Sequence, residues 1–181
     1  MVFRRKGRVA ACALGAVLFC LLTVPAANSA SSRTRVATVS ALNAQVLREV
    51  NRIRAQRGLN PLARSSGLAR AAATHSLSMA TDGYFAHESA NGSAFWQRIK
   101  LYYSANGHRY WAVGENLVWA SPSLTAQRVV KMWMDSPPHR ANLLSSKWRE
   151  IGLSAVYSSS APGPYQDRAA TIVTADFGVR R

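Results

Sequence analysis

The chain has 181 residues and carries 23 Lys and Arg against 8 Asp and Glu, a formal charge of +15. That length is enough for one domain with its own core. The basic residues are mostly arginine and are scattered, with no run of interleaved aromatics of the kind that marks a nucleic-acid groove, so a specific nucleic-acid partner is excluded. Such charge favours anionic cell-wall polymers or lipid headgroups as non-specific partners.

The N-terminus reads as an export address. Arg4, Arg5, Lys6 and Arg8 form a basic start, and Val9 to Val24 is an apolar run broken only by Thr23. Pro25 and the small residues up to Ala30 follow. This is the layout of a secretory signal peptide over residues 1–30, with cleavage near Ala30 or, alternatively, Ala26. The run is short for a membrane span, and an uncleaved N-terminal anchor is the competing reading. Phe19 is too bulky for a lipoprotein box before Cys20. Both cysteines, Cys12 and Cys20, lie in this segment. The exported chain then has no disulfide, no cysteine-ligated metal and no cysteine nucleophile. Its charge falls to +11, because residues 1–30 carry four basic residues and no acid.

Residues 31–40 are polar and read as a flexible lead-in to a domain over 41–181. Leu42, Val46, Val50 and Ile53 recur at helical spacing, which predicts a helix from about Leu42 to Arg57, ended by Gly58. Asn60-Pro61 is a turn. A second helix spans about Ser66 to Thr81, with Leu68, Ala72 and Met79 on one face. His75 shares that face and reads as a core histidine with its hydrogen bonds satisfied. Asp82-Gly83 stops the helix, and Tyr84 to His87 form a loop. Asn91-Gly92-Ser93 is a turn that also matches a glycosylation sequon. A short helix covers about Ala94 to Leu101, and Tyr102 to Trp111 is irregular.

Gly114 to Trp119 reads as a turn into a short buried strand. Ser121-Pro122 is placed as a cap and first helical position, with the helix running through Asp135 and burying Val129, Val130, Trp133 and Met134. Pro137-Pro138 end it and begin the next turn, His139 to Leu144. Trp148 to Tyr157 and Ala169 to Val179 read as strands paired in a hairpin around a loop over Ser158 to Gln166. This order gives a mixed α+β chain with an antiparallel sheet rather than repeated βαβ units.

Three residues stand out chemically. Glu115 follows Gly114, which lets the backbone come close to its neighbours. His139 follows two rigid prolines, a setting that suits a ligand or a general base. His87 sits in an aromatic loop. Each has a simpler role: a turn acid, a histidine bonded to a helix-start carbonyl, a loop residue. Arg140 and Asn142 read as a surface charge and an amide that satisfies backbone. Together, two histidines and a carboxylate suit a divalent ion with one position open to water. They suit a metal-free base and acid equally well. Other templates fail. His87-Glu88 begins like a zinc-protease HExxH helix, but Asn91 stands at the second histidine. Gly152 to Val156 lacks the second glycine of a nucleophile elbow.

Five stretches, LNAQVLREVNRIRAQRGLNPL, LARAAATHSLSMATDGYFAH, GENLVWA, VVKMWMDSPPHRANLL and EIGLSAVY with TADFG, together resemble the CAP superfamily in its cysteine-free bacterial branch. This is the SCP-like, cysteine-rich secretory and pathogenesis-related group. They run in the family's order over about residues 41–179. The resemblance implies a three-layer α-β-α sandwich with a small central antiparallel sheet. It also implies a cleft of two histidines and two acids, which binds zinc or magnesium in some members. Matched by position, the first histidine is His87, the first acid Glu115 and the second histidine His139, and these are the expected metal ligands for Zn2+ or Mg2+. The second acid is expected three residues after Trp133, where this chain has Ser136. Asp135 is one position early, and Glu88, Asp135 and Glu150 remain as replacements.

The first functional reading is a secreted, monomeric binding module for a cell-wall polymer, a lipid or a small hydrophobic ligand. The second is a metal-assisted or general-base hydrolase of peptide or wall material, with Glu115, His139 and His87 as catalytic residues. The third is a defence or stress protein with a vestigial cleft.

Overall fold

A computed structural model describes residues 34–181. The expected signal peptide and the first residues of the lead-in lie outside the described residues. Strand β1 (Val36–Thr38) leads into α1 (Ser40–Ala55), followed by β2 (Ala63–Arg64), α2 (Ser66–Asp82) and α3 (Phe95–Tyr102). Then come β3 (Trp111–Ala120), α4 (Ala126–Asp135), α5 (Pro137–Leu143), β4 (Glu150–Ala161) and β5 (Arg168–Arg180). A single 3-10 turn, Gly163–Tyr165, joins the last two strands.

The sheet has the order β1-β4-β5-β3, with β2 paired to β4 in parallel and the other pairs antiparallel. Alternation along each strand gives the sheet two apolar faces. On one, Val118, Ile151, Ala155, Val173, Ala175 and Phe177 pack under α1, α4 and α5 through Leu42, Val46, Val50, Val129, Trp133 and Leu143. On the other, Leu117, Val156 and Ile172 meet Met79 and Ala80 of α2, and Leu68 and Ala71 meet Ile99 of α3. The molecule is therefore an α-β-α sandwich.

Several boundaries differ from the sequence reading. Part of the expected flexible lead-in is ordered, because Val36–Thr38 pairs with Val156–Ser158 of β4. Gly114 is not at a turn. β3 runs straight through it, and its missing side chain makes room: a Cβ there would come 2.7 Å from the ring of Trp148. Helix α4 starts at Ala126 rather than at Ser121-Pro122, with Thr125 Oγ1 accepting from the Arg128 N–H at 3.2 Å. Pro137 and Pro138 begin α5 as expected, in positions where a missing N–H costs nothing. β4 continues past Tyr157 to Ala161, which shortens the expected loop.

Two contacts lock the layers. Arg54, buried at the end of α1, donates from Nε to the Asn60 carbonyl at 3.0 Å and from Nη1 to the carbonyls of Leu143 (2.8 Å) and Ser145 (3.0 Å). It thus ties α1 to the end of α5. Gly152 of β4 lies against the first turn of α2, where a Cβ would overlap the backbone of Leu68 and Ala69. Gly152→Ala should force helix and sheet apart. The expected cost is about 3 kcal/mol, or roughly 10 °C in the thermal midpoint. A midpoint within about 2 °C of the parent would show that the helix has room to move.

Candidate functional site

The site forms at the free edge of β3. Glu115 projects from this strand toward α2 and α3, and its side chain has 0% exposure. A carboxylate without water needs charged or hydrogen-bonding partners. Both of its oxygens have them. Oε2 takes an ion pair from Arg98 of α3, and Oε1 takes the Nδ1–H of His87 at 2.8 Å. Arg98 is itself only 5% exposed. It also donates to Ser89 Oγ at 3.0 Å and to the His87 carbonyl at 3.4 Å, so one guanidinium holds the acid and the loop that carries the histidine.

The same loop is pinned from α2. His75 Nε2 donates to the Ala86 carbonyl at 2.9 Å, and the Tyr84 hydroxyl lies 3.3 Å from Nδ1. Tyr165 donates its hydroxyl proton to the Tyr84 carbonyl at 2.8 Å. His75 is thus the satisfied core histidine expected from sequence. Burial pushes its pKa down to about 4.

His139 approaches from the other side of the strand. Its backbone carbonyl accepts from Asn116 Nδ2 at 3.0 Å, and Asn142 donates to the Glu115 carbonyl at 3.1 Å and to Asn116 Oδ1 at 3.0 Å. This clasp fixes α5 on β3. Asn142 therefore satisfies backbone as expected, though of the strand rather than of a loop. Arg140 is more than a surface charge, since it donates to the Met134 carbonyl at the end of α4 at 2.8 Å. His139 lines a groove of ≈ 280 Å³ with Phe85, Leu117, Trp119, Met132 and Trp133.

The two site histidines differ electrically. The hydrogen bond to Glu115 raises the pKa of His87 against the opposing effect of burial. Burial and the nearby charge of His87 lower that of His139. At neutral pH the pair is therefore asymmetric, with His87 the better base. With Nδ1–H given to Glu115, His87 Nε2 has no partner among the described residues.

Each oxygen of Glu115 already has one partner, Oε1 in His87 and Oε2 in Arg98, which leaves it a poorer third ligand beside His87 and His139. Among the described residues no group of three or more His, Cys, Asp or Glu side chains is placed to hold a metal ion. Two imidazoles fall short of the three protein ligands of catalytic zinc, and no free oxygen is aimed where Mg2+ would need it. The donor set does not fit a resident Zn2+ or Mg2+.

Nor do the expected second acids serve. Asp135 pairs with Lys131 on the surface at 2.7 Å, Glu150 accepts from the Tyr103 hydroxyl, and Glu88 is exposed. The acid beside Glu115 is Asp176, its register partner on β5. Asp176 is completely buried, and neither of its oxygens has a hydrogen-bond partner. Burial, then the neighbouring Glu115 charge, raises its pKa well above the usual carboxylate range. Its side chain lies on the same face of the sheet as that of Glu115. Sequence reasoning missed both Asp176 and Arg98. The signals were a charged residue inside the apolar strand TIVTADFGV, and an arginine in the stripe Phe95, Arg98, Ile99, Tyr102.

The strand edge is itself part of the cleft. Tyr110 and Arg181 exchange both backbone hydrogen bonds, at 2.8 and 3.0 Å. Alternation from that pair turns the N–H and C=O of Glu115, Leu117 and Trp119 outward. Two of these carbonyls are covered, Glu115 by Asn142 and Leu117 by the Trp133 indole N–H at 3.1 Å.

Residues 47–177 match the family described as the cysteine-rich secretory protein family, CAP. The uncharacterized protein YkwD of Bacillus subtilis is 33% identical over 123 residues, covering 68% of this chain and 46% of that protein. An extracellular protein of Bacillus anthracis containing an SCP domain superposes with a TM-score of 0.60 at 24% identity, over 78% of this chain and 41% of that one. An outer surface protein of Borrelia burgdorferi gives 0.65 at 20% identity, over 81% of this chain and 98% of that one. The chain thus spans less than half of each of the two Bacillus proteins.

Two outcomes follow from the electrostatics. His75 has a depressed folded pKa, so its contribution to stability is full above about 6.5 and is lost as pH falls toward 4. Unfolding free energy should drop by about 2 kcal/mol between pH 7 and pH 5 through this residue. In His75→Gln the drop should be visibly smaller when urea midpoints are compared; an unchanged pH slope would remove His75 as the cause. Arg98→Met strands a buried carboxylate and should cost about 3 to 5 kcal/mol, while the NMR-titrated pKa of His87 rises. A fall would show that Arg98 does not oppose the charge on His87.

Proposed function

Because the chain belongs to the cysteine-rich secretory protein family, we propose that it is an exported recognition module whose β3-edge cleft binds a small ligand or a wall component at the cell envelope. His87 Nε2 and His139 are the polar contacts, and the groove along Trp119, Met132 and Trp133 takes the apolar part. One observation carries this reading: both oxygens of Glu115 are engaged by His87 and Arg98, so the family's first acid is committed to holding the site together. Ser136 at the second acid position points the same way, since that position supplies no carboxylate to activate water. The export address, the basic charge and the fold shared with an extracellular and an outer surface protein support an envelope location.

A hydrolase is the second reading, favoured by a specific feature. His87 is oriented by Glu115 through Nδ1, raised in pKa, and free at Nε2, the arrangement of a general base held by its acid. In that reading His87 takes the proton of an attacking water and Glu115 stabilises the imidazolium.

The experiment is retention on isolated cell walls at rising salt, run beside hydrolysis assays on casein and wall fragments. Retention that survives high salt and falls in His87→Ala/His139→Ala, with no turnover, is the expected outcome, because screening removes the contribution of net charge alone. Turnover that disappears in a folded Glu115→Gln variant would overturn the binding reading in favour of the hydrolase. Retention equal in both proteins would remove the cleft from envelope binding. Calorimetry is expected to give only weak zinc binding, lost in the double variant, and none for magnesium. Tight binding of one zinc equivalent would overturn the metal-free account.

A further inference from the structure

A second cavity, of ≈ 340 Å³, lies on the far side of the sheet from β3, between α1 and the outer edge of β4. It shares no residue with the His87–His139 cleft. Its floor is apolar, made by Leu47, Ile151 and Leu153. Its polar groups come from one face of α1, where Ser40, Asn43 and Arg48 line it, and from Arg64 of β2.

The cavity sits at a gap in the sheet. β1 covers β4 over Val156–Ser158, and β2 covers Glu150 and Ile151. On the rungs flanking the gap, Ser65 N–H donates to the Ile151 carbonyl at 3.0 Å, and Val39 N–H to the Ala155 carbonyl at 2.8 Å. The Ala155 N–H donates to Asn43 Oδ1 at 2.7 Å. Alternation places the N–H and C=O of Leu153 on the same edge, and among the described residues neither has a partner. A backbone pair at an open rung is what an extended peptide pairs with.

The charges specify more. Arg48 and Arg64 are exposed, and neither forms a salt bridge among the described residues. With Oδ1 of Asn43 engaged by Ala155, only the amide N–H2 group of that side chain remains to donate. The lining thus offers two cations, the Asn43 amide, the Ser40 hydroxyl and one backbone N–H, against a single carbonyl acceptor. Such a donor excess matches an anion, and guanidinium groups suit a carboxylate.

We propose that this cavity is a second ligand site that takes a short extended peptide with a free carboxylate. The peptide amide pairs with Leu153, the carboxylate meets Arg48 and Arg64, and an apolar side chain rests on Leu47 and Ile151.

The probes are N-acetyl-leucyl-leucine, its C-terminal amide and octanoate, titrated into the 15N-labelled protein and read by amide NMR. The acid dipeptide should give saturable shifts at Leu153 and Asn43. Binding should weaken at least fivefold for the neutral amide form. It should weaken as much in the variant Arg48→Ala/Arg64→Ala, whose tryptophan indole signals report an unchanged fold. No saturable shift at Leu153 would overturn the proposal, as would equal affinity for acid and amide forms of the dipeptide. Undiminished binding in a folded variant would exclude the arginines. Octanoate binding as well as the dipeptide would replace the peptide by a simple carboxylated amphiphile.

Discussion

A carboxylate with no exposed surface must be neutralised where it stands, and Glu115 imposes that constraint on everything around it. It sits in mid-strand with α2 and α3 above it. Arg98 answers from α3, and having entered the core it also binds Ser89 and the His87 carbonyl. The loop between α2 and α3 is thereby drawn over the strand edge, and His87 completes the carboxylate from outside. Buried ion pairs add little net stability but are costly to break. Here the pair sets geometry: it decides where the loop goes and which imidazole nitrogen of His87 is left without a partner among the described residues.

The amphipathic helices were legible because their apolar spacing is strong. α1 and α2 fall within two residues of the predicted spans, and the hairpin of β4 and β5 was read correctly. What misled lay at polar residues inside strands. Gly114-Glu115-Asn116 looks like a turn because glycine, an acid and an amide usually prefer one. In the fold each is satisfied by something distant in sequence: Trp148 fills the space over Gly114, Arg98 neutralises Glu115, and Asn142 bonds Asn116. Local propensity cannot register partners that come from another element.

The same limit explains the acid that went unnoticed. Counting three residues past Trp133 leads to Ser136, which leaves Glu88, Asp135 and Glu150 as the candidate substitutes. Asp176 lies 61 positions from Glu115 in sequence and opposite it across the sheet. Burial and the neighbouring Glu115 charge raise its pKa, which disfavours a second negative charge beside Glu115. Residue order brought out His87, Glu115 and His139; pairing register was needed to find Asp176.

The covered carbonyls of β3 bear on how copies of the chain meet. An edge strand is ordinarily a template on which a second strand can dock, giving and taking hydrogen bonds alternately. At Glu115 and Leu117 the taking half is already used by Asn142 and Trp133, while the donors stay open. At those two positions the N–H groups of a passing strand would meet carbonyls already in use. The edge can therefore stay uncovered for a ligand without becoming a seed for sheet-by-sheet assembly, and a protein without disulfides in its described domain keeps an open strand at little risk of polymerising through it.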